Sequence, residues 1–424
     1  MGSWAWRRGI GTPTRRWAGP FASTTSRQAP PPDAFVSDLR RRGVPISVGA
    51  VIVATVEPYE QTVLASIRDL GLELQVIFNK GAVMVVPATI NKASGLKAAL
   101  DDLGLSPRNA VAIGDAENDH ALLKFAELGV AVGNALPSLR EQADLVIERD
   151  HGAAVVELIE RLIADDLRTF RPGRERRRLV IGRDAQGQEL CVTAAGAHVL
   201  VAGAPRDDIA DVVKGLVTQL HTHGYQFCVL DATGAYSALA GAIIVGSAEN
   251  RPDVTQIVTA LERPDACVVA DLSSAAPIDR REYLAIVGRQ LLAFRAAMAR
   301  PHWLIMDPAD PVLSVGGVAL GASLLGAFAG VIAVTAHPER VASEAAALFD
   351  NVLALGAAAP AVLEALTDHP EAAGDRRGTA RFGDGILWRP RDRGGVRPVA
   401  ASVATRAGGL RSPPVRGRAA GGGQ

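Results

Sequence analysis

Between residues 72 and 165, strand-length apolar runs alternate with helix-length segments, and this alternation constrains the fold more than any other feature of the chain. The runs at 72–78, 82–86, 110–113, 130–132 and 145–147 are rich in Val, Ile and Ala. Between and after them, 94–103, 121–128, 136–142 and 153–165 read as helices. Strands alternating with helices at this spacing predict a parallel sheet covered on both faces. Upstream, 34–42 is amphipathic, 49–55 reads as a strand, and 58–70 as a helix with Val63, Leu64, Ile67 and Leu70 at helical spacing. The same alternation returns later: a hairpin from 179–182 and 189–193, a strand at 198–202, a helix at 209–221, and strands at 227–230, 242–245, 266–270, 303–306 and 331–334. The expected fold class is α/β, with two three-layer domains built on mostly parallel sheets.

Composition sets the limits around this pattern. A chain of 424 residues is too long for one ordinary domain. The expected division is a leader at 1–33, a first domain at 34–167, a linker at 168–178, a second domain at 179–372, and a Gly/Arg/Pro-rich tail at 373–424 that is disordered apart from 385–388. Lys+Arg and Asp+Glu are 45 each, so net charge offers no argument for nucleic acid or an anionic membrane. Cys191, Cys228 and Cys267 lie far apart in apolar surroundings, which reads as buried thiols in a reducing, cytoplasmic setting. His221 and His223, two apart, are a poor helix-face metal pair and read as surface or capping residues. The stretch 312–337 is strongly apolar, but five glycines break it up. It reads as a helix followed by a buried strand, so no membrane span is expected.

The sharpest local feature is Gly114-Asp-Ala-Glu-Asn-Asp119, directly after an apolar strand. Ligands of open parallel sheets bind at the carboxyl ends of strands. Asp115, Glu117 and Asp119 would crowd negative charge there, and such crowding calls for a positive partner. Mg²⁺ suits oxygen ligands of this kind, together with a phosphate. On spacing alone, a solvated loop capping the next helix fits equally well. Lys92, just before a helix, is a candidate phosphate ligand, although a lone loop lysine is more often a solvated charge.

Taken together, Asn91-Lys92 with Gly95-Leu96, the Gly114–Asp119 loop, Val130-Ala-Val-Gly-Asn-Ala135 and Ala143-Asp-Leu-Val146 resemble, in order and spacing, the C-terminal part of Cof-type haloacid dehalogenase-like phosphatases. The resemblance covers about residues 71–167 and makes the first domain a truncated member of that fold. It implies that Lys92 contacts the phosphate and the nucleophile, that Asp115 and Asp119 serve Mg²⁺, and that Asn118 lies near the phosphate. It also implies an Asp-x-Asp-Gly-Thr motif after the first strand, whose first aspartate attacks phosphorus. No Asp-x-Asp occurs before Gly71. Ala54-Thr55 is only a loose match to the family's second motif. Either the domain has lost its catalytic residues, or its front end lies elsewhere.

In the second domain, Val199-Leu-Val-Ala-Gly203 followed by a helix has the outline of a strand, P-loop and helix. A working loop needs Gly, Lys and Ser or Thr where Asp208, Ile209 and Ala210 stand, so ATP binding is not expected. Residues 225–236, Pro301-His-Trp-Leu-Ile-Met-Asp307 and 331–338 nonetheless resemble a helicase- or translocase-type P-loop ATPase of the HerA type. That resemblance makes Gly203 and Asp307 its cofactor-binding positions, with Pro308 where a catalytic Glu is expected.

Three functions are therefore expected to compete. One is Mg²⁺-dependent hydrolysis of a phosphorylated small molecule, impaired by the missing nucleophile. Another is non-catalytic phosphate or nucleotide binding in a regulatory protein, with a protein partner or a second copy. The last is a nucleic-acid-associated ATPase, which the absent lysine at position 209 argues against.

Overall fold

The computed structural model describes residues 30–79, 81–165, 167, 176–184, 186–203, 206–274, 277–356, 359–366, 384–389 and 397–400. The expected leader falls outside these residues for 1–29, the linker for 168–175, and the tail for all but two short segments. The described chain divides between residues 175 and 176 into two compact units.

The first unit opens with α1 (Asp33–Arg41), β1 (Ser47–Val48), β2 (Val53–Val56), α2 (Glu60–Asp69), β3 (Leu74–Asn79) and β4 (Ala82–Pro87). Its strands form a four-stranded antiparallel sheet in the order β1-β2-β4-β3. The strand expected at 49–55 is thus interrupted by a turn. The Gly49 N–H donates to the Ile52 carbonyl at 2.8 Å, folding the run back into a hairpin. Apolar content alone does not distinguish a run from a turn closed by a glycine. Phe35, Leu39, Val53, Val63 and Val85 form this sheet's core. Asp38 ties α1 to α2: it is buried and accepts from the Ser66 hydroxyl and the Arg42 Nε, each at 2.6 Å.

The parallel half follows as α3 (Lys92–Leu103), β5 (Val111–Gly114), α4 (His120–Phe125), β6 (Leu128–Val132), α5 (Pro137–Gln142), β7 (Leu145–Ile147) and α6 (His151–Asp165). The three strands lie in the order β5-β6-β7, all parallel. α4 stops at Phe125 rather than continuing to Leu128, because Leu128 pairs with Val111 in the sheet. The Glu127 N–H donates to the Ala110 carbonyl at 3.0 Å at the same place. Val130, Ala131, Leu139, Ile147, Ala154 and Leu158 make a second, separate core. The first unit is therefore mixed α/β, with parallel strands only in this half.

The second unit contains β8 (Arg178–Arg183), β9 (Glu189–Thr193), β10 (His198–Gly203), α7 (Arg206–Thr222), β11 (Phe227–Asp231), β12 (Ala242–Val245), α8 (Val254–Leu261), β13 (Cys267–Asp271), α9 (Pro277–Met298), β14 (Trp303–Asp307), α10 (Asp310–Leu313), α11 (Val318–Ala327), β15 (Gly330–Thr335), β16 (Asn351–Leu355), β17 (Asp384–Trp388) and β18 (Arg397–Ala400). One 11-stranded sheet collects them in the order β12-β13-β11-β14-β15-β10-β16-β17-β18-β8-β9. From β12 to β16 all neighbours are parallel, and from β16 onward all are antiparallel. Alternate residues of one strand enter opposite cores: Leu200 and Ala202 on one face, Val199 and Val201 on the other. Both faces are covered, as continuous apolar strands require.

α8, α9, β16 and β18 were not anticipated as elements, although α8 carries a readable signal: Asp253 and Gln256 cap its first turn reciprocally. The apolar stretch at 312–337 resolves into part of α10, α11 and β15, and no helix among the described residues is long and apolar enough to cross a membrane. Asp384–Trp388 and Arg397–Ala400, inside the Gly/Arg/Pro-rich tail, are strands of the large sheet.

Candidate functional site

β5 delivers the acidic loop to the carboxyl edge of its sheet. Gly114 ends the strand because nothing larger fits: a Cβ there would lie 2.5 Å from Asp119 Cβ. Residues 117–119 turn once, which brings the Asp119 carboxylate back over the strand end. Its Oδ2 accepts from the backbone N–H groups of Asp115 at 2.9 Å and Ala116 at 3.1 Å. Its Oδ1 accepts from the Lys92 ammonium. Asp119 is buried, while the Lys92 side chain is 46 % exposed.

Lys92 reaches this point through a cap. Asn91 Oδ1 accepts from the Ser94 N–H at 2.9 Å, and Ser94 Oγ accepts from the Asn91 N–H at 3.0 Å. This reciprocal pair starts α3 two residues earlier than its apolar spacing suggests, with Lys92 as its first residue.

Burial by itself raises the Asp119 carboxyl. The Lys92 ammonium and the two N–H donors outweigh burial and hold it below the usual carboxylate range. Asp119 is therefore an anion already neutralised by protein groups.

The four expected site residues of this unit fall into one neighbourhood, and the Lys92 and Asp119 side chains bond to each other. Asp115 contributes its N–H to Asp119, and its carbonyl accepts from the Leu136 N–H at 3.1 Å. Asn118 holds a buried Oδ1 with no hydrogen-bond partner among the described residues. A short-range pair not foreseen from sequence lies at the carboxyl ends of β6 and β7. Asn134 Oδ1 accepts from the His151 N–H at 3.0 Å, and its Nδ2 lies 3.1 Å from His151 Nδ1.

Magnesium takes oxygen ligands, commonly one or two carboxylates with waters and a phosphate. Both Asp119 oxygens are already engaged, one of them by an ammonium that a cation would have to displace. Among the described residues, no group of three or more His, Cys, Asp or Glu side chains converges as a metal site. Asp119 as placed therefore presents no free oxygen to a magnesium ion among the described residues.

In the second unit the sheet order places the ends of β10 and β14, hence Gly203 and Asp307, on one edge, with β15 between them. Gly203 has a packing role: a Cβ there would lie 2.7 Å from the Leu355 carbonyl oxygen. Asp307 is buried, and its Oδ2 accepts from the Tyr236 hydroxyl at 3.0 Å. On the neighbouring strand, Asp231 accepts from the N–H groups of Thr233, Gly234 and Tyr236 and from the Thr233 hydroxyl, so its oxygens brace the turn that positions Tyr236. The side chains of 204–208, Asp208 of the loop among them, lie outside the described residues.

The family model of haloacid dehalogenase-like hydrolases matches residues 50–159. A phosphoglycolate phosphatase of Methanothermobacter thermautotrophicus is 37 % identical over 103 residues, which is 24 % of this chain and 45 % of that protein. Phosphoglycolate phosphatase 2 of Saccharolobus solfataricus is 32 % identical over 120 residues, 28 % of this chain and 49 % of that protein. The chain thus spans about half the length of these curated relatives. Among solved structures, a haloacid dehalogenase-like hydrolase from Bacteroides thetaiotaomicron aligns with TM-score 0.24 and 29 % identity, over 27 % of this chain and 45 % of that one. The genome packaging NTPase B204 of Sulfolobus turreted icosahedral virus 2 aligns with TM-score 0.37 and 13 % identity, over 48 % of this chain and 96 % of that one. Over residues 50–159, the chain matches the haloacid dehalogenase-like hydrolase family.

Proposed function

We propose that the first unit binds the phosphate group of a phosphorylated small molecule without efficient turnover. The Lys92–Asp119 pair carries this reading. It assembles residues 27 apart in sequence at the carboxyl end of a parallel strand, and it leaves the lysine half-exposed with donors to spare. Because Asp119 already balances the charge of Lys92, binding is weak, with a Kd of about 1 mM. Covalent transfer needs an attacking side chain, and residues 1–71 of the sequence contain no Asp-x-Asp pair.

Isothermal titration of the full chain with inorganic phosphate and with phosphoglycolate tests this reading. Lys92→Met should weaken binding about tenfold, the loss of one charge-assisted hydrogen bond. Equal affinity in wild type and variant would overturn it.

The identity to phosphoglycolate phosphatases favours a second reading, slow magnesium-dependent phosphoester hydrolysis. It requires turnover of p-nitrophenyl phosphate above a mock preparation, lost on removing magnesium and in Asp115→Ala. Turnover equal to the mock preparation rejects it.

A further inference from the structure

We infer that Ser138, His120 and Gln142 form a nucleophilic site, at which the Ser138 hydroxyl takes the acyl group of a small activated carboxylic ester. Its side chains are not those of the phosphate site, and the inference stands whether or not that site binds phosphate.

His120 opens α4, and its imidazole is held between two side chains of α5. Its Nδ1 lies 3.3 Å from Gln142 Oε1, and its Nε2 lies 3.4 Å from Ser138 Oγ. Ser138 and Gln142 are four residues apart, so one face of α5 presents both to a single ring. An amide oxygen only accepts, which puts the proton of the neutral ring on Nδ1. Nε2 then keeps its lone pair and accepts from the Ser138 hydroxyl. These are the roles that activate a serine: a hydroxyl, an imidazole base, and an acceptor that holds the base in one tautomer. Catalytic hydrogen bonds are often this long before a substrate arrives.

Both helices are anchored. Leu123 of α4 and Leu139 of α5 are buried in the same core, and the Leu136 N–H donates to the Asp115 carbonyl at 3.1 Å. Ser138 and Gln142 are themselves exposed, and His120 is half-buried. A tie between α4 and α5 would be met by either contact to the ring alone. The two together also leave a basic nitrogen facing a hydroxyl. An open site with one imidazole to protonate the departing atom favours leaving groups that are weak bases, hence aryl esters and thioesters over amides.

The reaction balances without a cofactor. Ser138 Oγ adds to the carbonyl carbon, and its proton passes to His120 Nε2. The bond from carbon to the leaving oxygen or sulfur breaks, and the leaving group departs with that proton. Water then attacks the acyl-serine, giving one proton to Nε2. The carboxylic acid is released, and Ser138 Oγ takes the proton back.

The test mixes the full chain with p-nitrophenyl acetate in the presence of EDTA. Release of p-nitrophenolate is followed, and the acetylated residue is located by peptide mass spectrometry. The expected result is a burst of p-nitrophenolate with acetyl on Ser138. Ser138→Ala should remove the burst, and His120→Ala should slow acetylation about a hundredfold. Gln142 is a positioning residue: Gln142→Leu should slow acetylation about tenfold, the loss of one hydrogen bond. Gln142→Glu, whose carboxylate also accepts from Nδ1–H, should restore the rate. Acetyl on lysines with none on Ser138, or equal rates in wild type and Ser138→Ala, would overturn the proposal. So would a Gln142→Glu variant as slow as Gln142→Leu, because the tautomer assignment would then be wrong.

Discussion

Asp119 is the residue on which the first unit's chemistry and its stability meet. Its carboxyl is held below the ordinary range, so the stabilisation it contributes is complete above the unfolded value of about 4. That stabilisation is lost as pH falls through the depressed folded value. Urea midpoints of the first unit should therefore decline as pH drops below about 4, and Asp119→Asn should flatten that decline. At neutral pH the same substitution should cost about 1–3 kcal/mol, because one buried acceptor becomes a donor facing donors. Asp115, Asn118 and Asp119 were legible as candidates from their place after an apolar strand. The assignment of Asp119 to Lys92 rather than to a cation was not, because it depends on how α3 approaches β5. Cys228 and Cys267 illustrate the simpler case. Burial pushes both thiols up to about 12, so in the native chain neither should react with Ellman's reagent at neutral pH until the second unit unfolds.

Among the elements, most strands were readable, β16 and β18 excepted, and strand partnership was not. Gly330 opens β15 opposite Trp303, and a Cβ at that position would lie 2.3 Å from the indole. Trp303 is fully buried and donates from Nε1 to the Ala194 carbonyl at 3.0 Å, so it cannot move aside freely. Gly330→Ala should cost about 1–3 kcal/mol by overpacking, measured as a lowered urea midpoint. β17 and β18 show the limit of local reading. In a Gly/Arg/Pro-rich tail their short apolar runs carry a weak strand signal, yet they join β16 to the β8–β9 hairpin. Leu387 of β17 is buried in one core while Ile386 packs against the other. Leu387→Ala should cost about 2–5 kcal/mol. Removing residues from 384 onward should leave the β16 edge unpaired and raise light scattering on concentration.

At the scale of the whole molecule, the apolar cores separate. Among the described residues, two belong to the first unit and two to the second. Unfolding should accordingly proceed in two transitions. Leu216→Ala, in the second unit's core, should lower one midpoint by the equivalent of about 2–5 kcal/mol and leave the other in place, which differential scanning calorimetry resolves. A single transition moved as a whole would show that the units unfold together.

The sequence by itself determined the mixed α/β class, the order of most elements and the loop that bears the acids, because apolar periodicity and glycine placement are local properties. Only the tertiary structure decided which strands pair. It split residues 47–87 into an antiparallel sheet and drew the tail's strands into the second unit. It also set Lys92 against Asp119. Each of these outcomes depends on contacts between distant segments, where close packing and charge neutralisation select one partner from several that local pattern leaves equivalent.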